Sequence, residues 1–139
     1  MVFGLFKKGQ TIVANVTNLD LLQAISAASL YVASSGGIDA DELDQIKVSL
    51  ATNKALSSFS QSQITGILGG YKQQLEQSPR MGKLAMKKEI EDIKDPEQAQ
   101  IVFAVACDVA DQGDISPDEK ARLIEVAGWL RVNPSDFGL

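Results

Sequence analysis

The sequence predicts an all-α fold of six to seven helices, arranged as two pseudo-symmetric copies of one helix–glycine turn–helix unit. Residues 31–56 lie over residues 108–133 without a gap, at a constant offset of 77 positions (108 minus 31). Gly36 then meets Gly113, Ile38 meets Ile115, Asp41 meets Asp118 and Glu42 meets Glu119. Each turn follows a run of apolar and small residues, 21–33 and 101–110, which is long for a strand and too alanine-rich for one. Each turn also precedes an amphipathic segment with strong helix-start chemistry. A chain of 139 residues suits one domain, here residues 1–139, with 1–17 as a less regular N-terminal segment.

In chain order, residues 11–16 carry the one strand-like pattern and are expected to form a short extended lead-in. The run 21–33 is apolar on nearly every side, which suits a helix at the centre of the domain. In the helix after the first turn, Asp39 is the expected N-cap and Glu42 closes a capping box. Leu43, Ile46 and Leu50 form its inner stripe, and Asn53 is its stop. Ser60 caps a helix running to Gln77, although Gly66, Gly69 and Gly70 each weaken it by about 1 kcal/mol relative to alanine. Gly66 and Gly70, one turn apart, suggest close approach of another helix.

Pro79 opens a segment 79–94 with Leu84, Ile90 and Ile93 inward and Lys83, Lys87 and Lys88 outward. Asp95 and Pro96 open the second central helix, equivalent to the first. Ser116, Pro117 and Glu119 supply an N-cap, a first-turn proline and a capping-box acid for the next helix. Its apolar positions are Leu123, Ile124, Ala127 and Leu130, with Trp129 beside them. Asn133 and Pro134 start a last short turn that returns Phe137 to the core.

Charge is unevenly spread around a net value of −5. Residues 20–44 hold five acids and no base, residues 72–94 six bases against four acids, and residues 102–139 seven acids against three bases. This balance argues against binding a nucleic-acid duplex, which needs clustered Lys and Arg. The chain has no histidine, so a nucleophile–His–acid constellation is unavailable. Cys107 is the sole cysteine, which removes an internal disulfide and nearly removes a zinc–thiolate site. It lies within an apolar run, as core cysteines do. The glycines at 66, 69 and 70 are followed by no Gly-Lys-Ser/Thr, so they form no phosphate loop. No run reaches the roughly 18 apolar residues of a membrane span, and Lys7 and Lys8 follow the short apolar start in the wrong order for a secretory signal. A non-enzymatic, cytoplasmic protein without direct membrane insertion is the expectation.

The chemistry that remains is acidic. Asp108, Asp111, Asp114, Asp118 and Glu119 fall within twelve residues of the second turn. Asp108 and Asp111 sit at a helix C-terminus, where the carbonyl end is already partly negative and a nearby cation would relieve them. Against the calcium-loop pattern, Asp108, Gly113, Ile115 and Glu119 fit positions one, six, eight and twelve. Ala110 and Gln112 occupy positions three and five, so a standard EF-hand is improbable. A different all-oxygen site would suit calcium, magnesium or manganese. A purely structural role is the alternative, with Gly113 supplying a positive φ and Glu119 only closing its box. The first turn is poorer in acids, with Ser34 and Gly37 where the second has Asp111 and Asp114.

At these turns, Ser34-Ser-Gly-Gly-Ile-Asp-Ala-Asp-Glu42 and Asp111-Gln-Gly-Asp-Ile-Ser-Pro-Asp-Glu119, the chain resembles the TerB family of tellurite-resistance proteins and its TerB-like relatives. The tail Asn133-Pro-Ser-Asp-Phe-Gly-Leu139 is similar to that family's ending. The resemblance implies a pseudo-two-fold helical fold and a role in stress or tellurite resistance. It also implies a divalent metal held by Asp111, Asp114 and Glu119, with Asp41 and Glu42 at the first copy, and stress-resistance partners that include a membrane-associated one. A peripheral position at the inner membrane face, through that partner, would follow. Ser34 in place of an acid, and Asp114 directly after Gly113, depart from the family pattern. The competing expectation is a metal-free interaction scaffold that docks partners through its acidic faces and through Lys83, Lys87 and Lys88.

Overall fold

The computed structural model describes residues 16–35, 37–112 and 114–139. Among them are six α-helices: α1 (Leu19–Ala33), α2 (Ala40–Thr52), α3 (Gln61–Gln77), α4 (Pro79–Glu91), α5 (Pro96–Ala110) and α6 (Pro117–Leu130). Short 3-10 turns follow α2 at Lys54–Leu56 and α6 at Pro134–Phe137. The repeat is visible in the boundaries themselves. α5 starts and ends 77 residues after α1 (96 minus 19, 110 minus 33), and α6 starts 77 after α2 (117 minus 40). Gly36 and Gly113, including the positive φ expected of Gly113, lie outside the described residues, as does the lead-in 11–16 except for Val16. The Val16 N–H donates to the Ala55 carbonyl at 2.8 Å.

Local side-chain chemistry starts every helix. Asn18, Asp39, Ser60, Ser78, Asp95 and Ser116 each accept from a first-turn backbone N–H. Asp39–Glu42, Ser60–Gln63 and Ser116–Glu119 form complete capping boxes. Each cap satisfies a donor the helix itself cannot, and its loss costs about 1 kcal/mol.

α1 is buried along almost its whole length, from Leu21 and Leu22 to Tyr31 and Val32. It packs against all five other helices, most extensively against α5. Alanines at 24, 27 and 28 on α1 and at 99, 104 and 106 on α5 let these two helices share the core with Leu22, Ile25, Leu30 and Phe103. Ser26 and Ser29 are buried in the same helix, and neither hydroxyl has a hydrogen-bond partner among the described residues. The second helix of each unit also reaches the first helix of the other, α6 packing on α1 and α2 on α5. Phe137 does return to the core, meeting Phe103 edge-on at 4.9 Å.

Four expectations fail in α3, α4 and α6. α4 ends at Glu91 rather than Lys94. Leu84 and Ile124, expected inward, are 50% and 45% exposed. A Cβ placed on Gly66, Gly69 or Gly70 would meet nothing within 4 Å, so no helix approaches there. Close approach occurs instead at Gly82, where a Cβ would stand 2.8 Å from the Leu75 backbone. α3 and α4 are joined by Ser78 alone, which ends one helix and caps the next. That sharp corner turns the Gly82–Met86–Ile90 face of α4 inward and leaves Leu84 outside. No described helix is long and apolar enough to cross a membrane.

Candidate functional site

The second turn begins where α5 runs out of backbone partners. Asp111 is the C-cap, and its N–H donates to the carbonyls of Cys107 and Val109. One turn earlier, Asp108 is half-buried, and its carboxyl is raised above the usual range, first by burial and then by the negative charge of Asp111. The same surroundings push the Cys107 thiol up to about 12, burial acting most, followed by Asp111 and Asp108. A thiol of that kind is protonated at neutral pH and inert.

Beyond the turn, Ser116 and Glu119 exchange hydrogen bonds of 3.0 and 3.1 Å, with the Glu119 Oε1 accepting from the Ser116 N–H. Glu42 does the same for Asp39 in the first unit, its Oε1 accepting at 3.4 Å. Asp41 and Asp118 are exposed in the first turns of α2 and α6, where negative charge complements the helix dipole.

Because α2 packs on α5, the two units meet at this turn. A cleft of about 100 Å³ opens between α1, α2 and α5, lined by Ser29, Glu42, Gln45, Asp114 and Glu119 among others. Three of the seven acids predicted as metal ligands, Glu42, Asp114 and Glu119, therefore line one space. Asp41, Asp108, Asp111 and Asp118 do not line it. All of these donors are oxygens, as calcium, magnesium or manganese require. As placed, however, no three His, Cys, Asp or Glu among the described residues are grouped so as to hold a metal ion. Glu42 and Glu119 each commit their Oε1 to a cap.

The lysine strip on α4 is only partly outward. Lys83 and Lys88 are exposed, but Lys87 is half-buried with its ammonium 5.8 Å from the Trp129 ring centre. Lys83 stands 5.6 Å from the Tyr31 ring and 3.7 Å from Glu125. Tyr31 and Trp129 pack at 5.0 Å. These cation–π contacts hold two of the three lysines against the domain.

Two arrangements escaped sequence reasoning because their members are distant in the chain. Asp20, Glu89 and Asp92 line a pocket of about 180 Å³ where α1 starts and α4 ends. Burial, then Asp20 and Asp92, raise the Glu89 carboxyl. On another face, Tyr31 donates to Glu125 Oε1 at 2.7 Å, and Arg122 donates to the Tyr31 carbonyl at 2.7 Å and to Ser34 Oγ at 2.9 Å. The tyrosine hydroxyl is pushed up to about 12 by burial and by its bond to Glu125. No periodicity or spacing signals pairings across 88 to 94 residues.

The fold and this cleft define an all-α domain of two offset helix pairs, with the α3–α4 hairpin between them and acids from both pairs meeting at one turn. No protein family, curated protein or solved structure matches the chain.

Proposed function

We propose that the chain is a non-enzymatic, TerB-like stress-response protein that takes up a divalent cation where its two turns meet. The supporting observation is the shared cleft, which Glu42 of the first unit lines together with Asp114 and Glu119 of the second. The carboxylates must be drawn together around an ion against their mutual repulsion, so the affinity is weak and calcium or manganese, which tolerate irregular oxygen geometry, suit better than magnesium.

The test is the thermal midpoint of the purified protein with calcium, magnesium or manganese. A variant carrying Glu42→Gln, Asp114→Asn and Glu119→Gln keeps both capping boxes closed, because glutamine also serves there, and removes only the charge. Metal at a hundredfold excess over the dissociation constant stabilises by about 2.7 kcal/mol. The expected result is a rise of several degrees in the wild type and none in the variant. Equal midpoints with and without metal in the wild type remove the cation and leave the interaction scaffold. Unchanged tellurite tolerance after deletion of the gene removes the stress role.

A further inference from the structure

A second cleft carries the reverse chemistry. A cleft of about 600 Å³ lies between the end of α1, the C-terminal half of α3, the start of α4 and α6, within the range of small-molecule sites. Its lining places Lys72, Arg80, Lys83 and Arg122 against a single acid, Glu76, in a chain whose net charge is −5. The body of the cleft is apolar, formed by Ile38, Leu75 and Pro79 beside the Tyr31 ring.

The cations there are poorly neutralised from within. Arg80 makes no ion pair or hydrogen bond among the described residues. Lys72 reaches Glu76 only at 3.9 Å, and Lys83 reaches Glu125 at 3.7 Å. Arg122 lies over the Tyr31 ring at 4.5 Å and spends only its Nη1 on Tyr31 and Ser34, leaving the rest of its fork open. Arg80 also stands in the first turn of α4, the partly positive end of a helix dipole, where a cation is disfavoured unless an anion arrives.

The repeat sharpens this. Tyr31, Ser34 and Arg122 correspond, at the offset of 77, to Asp108, Asp111 and Gln45. The two units have therefore diverged at matching positions, toward an acidic edge at one turn and a cation-and-aromatic edge at the other.

We propose that this cleft binds an organic phosphate of about mononucleotide size. Its phosphate would be held by Arg80, Lys72 and the free fork of Arg122, and its body would lie on Ile38, Leu75 and Pro79. Guanidinium and ammonium groups together favour phosphate, and the apolar floor requires more than an inorganic ion. This ligand is independent of the cation proposed above.

Titration of the full chain with ADP, AMP and inorganic phosphate, in the presence of chelator, can be followed by calorimetry and by the emission of Trp129, the sole tryptophan, packed on Tyr31. Saturable, salt-sensitive binding is expected for the nucleotides, tighter than for inorganic phosphate. Arg80→Gln with Lys72→Gln should weaken it about tenfold or more, and Arg80→Gln alone, at an exposed residue, should weaken it while leaving the thermal midpoint unchanged. Phosphatidylglycerol vesicles form the parallel arm, because a lipid headgroup carries the same phosphate chemistry. Absence of saturable nucleotide binding, binding by vesicles alone, or affinity unchanged in the double variant overturns the proposal.

Discussion

Gly82→Ala should destabilise the protein although it improves the helix that carries it. In isolation, alanine in place of a helical glycine gains about 1 kcal/mol. Here the added methyl would lie 2.8 Å from the Leu75 Cα and N and from its Cδ2, where carbon atoms prefer about 3.5 to 4.0 Å. The obstructing atoms are mainly backbone, so no side-chain rotation relieves them, and α3 and α4 must part by most of an ångström. With Ser78 as the only link, that displacement strains both caps at the corner. Overpacking against a rigid wall costs about 3 kcal/mol, the upper part of its usual range. The net loss is about 2 kcal/mol, which is a fall in melting temperature of about 6 °C for a chain of this size. Urea denaturation followed by helical circular dichroism would show a lower midpoint with an unchanged slope. Gly66→Ala and Gly69→Ala are the internal comparison, since their methyls meet nothing and should raise stability by up to about 1 kcal/mol each. A Gly82→Ala protein as stable as the wild type, or more so, would refute the close approach.

Three other outcomes follow from buried polar groups. Ser26→Ala removes a buried hydroxyl with no partner and should stabilise by about 1 kcal/mol in the same urea assay; a loss would mean that the hydroxyl is bonded after all. Asp108→Asn should stabilise at neutral pH by about 0.3 to 1 kcal/mol, because it removes an acid from the last turn of α5. The folded-state carboxyl of Asp108 is raised, so the native state holds its proton more tightly than the unfolded chain. Its contribution is then fully present below the unfolded pKa and lost as pH rises through the folded value, and the benefit of asparagine should shrink as the buffer is taken from neutral down past the ordinary aspartate range. An advantage that grows on acidification would reverse that sign. Cys107, with its thiol pushed up to about 12, should resist iodoacetamide in the native state at neutral pH and react once unfolded, as mass spectrometry of the two samples would show.

The helix starts were legible because capping is short-range chemistry. Asp39 with Glu42, and Ser116 with Glu119, announce their helices within four residues. The central pair was legible for a related reason, since a run such as 21–33 has no polar face to offer water. The α3–α4 corner was not. Whether Leu84 or Met86 points inward depends on the angle at Ser78 and on Gly82 fitting against Leu75, and neither follows from helical spacing. The acid-rich character of the second turn is legible in the sequence, but sequence proximity groups its acids along the chain. Packing of α2 on α5 regroups them, bringing Glu42 in and leaving Asp108, Asp111 and Asp118 out. Arg122, which reaches Tyr31 and Ser34 across the interface of the two units, carried no local signal.

The central position of α1 also bears on how the chain is made. The ribosome delivers α1 before any of the helices that bury it, and its principal partner, α5, begins 77 residues later (96 minus 19). At about 5 to 20 residues per second, several seconds pass during which an almost wholly apolar helix has only α2, α3 and α4 to cover it. The nascent chain thus offers a sticky segment until its second unit emerges, and a ribosome-bound chaperone that shields residues 21–32 should raise the yield of folded protein more than one acting on the finished chain.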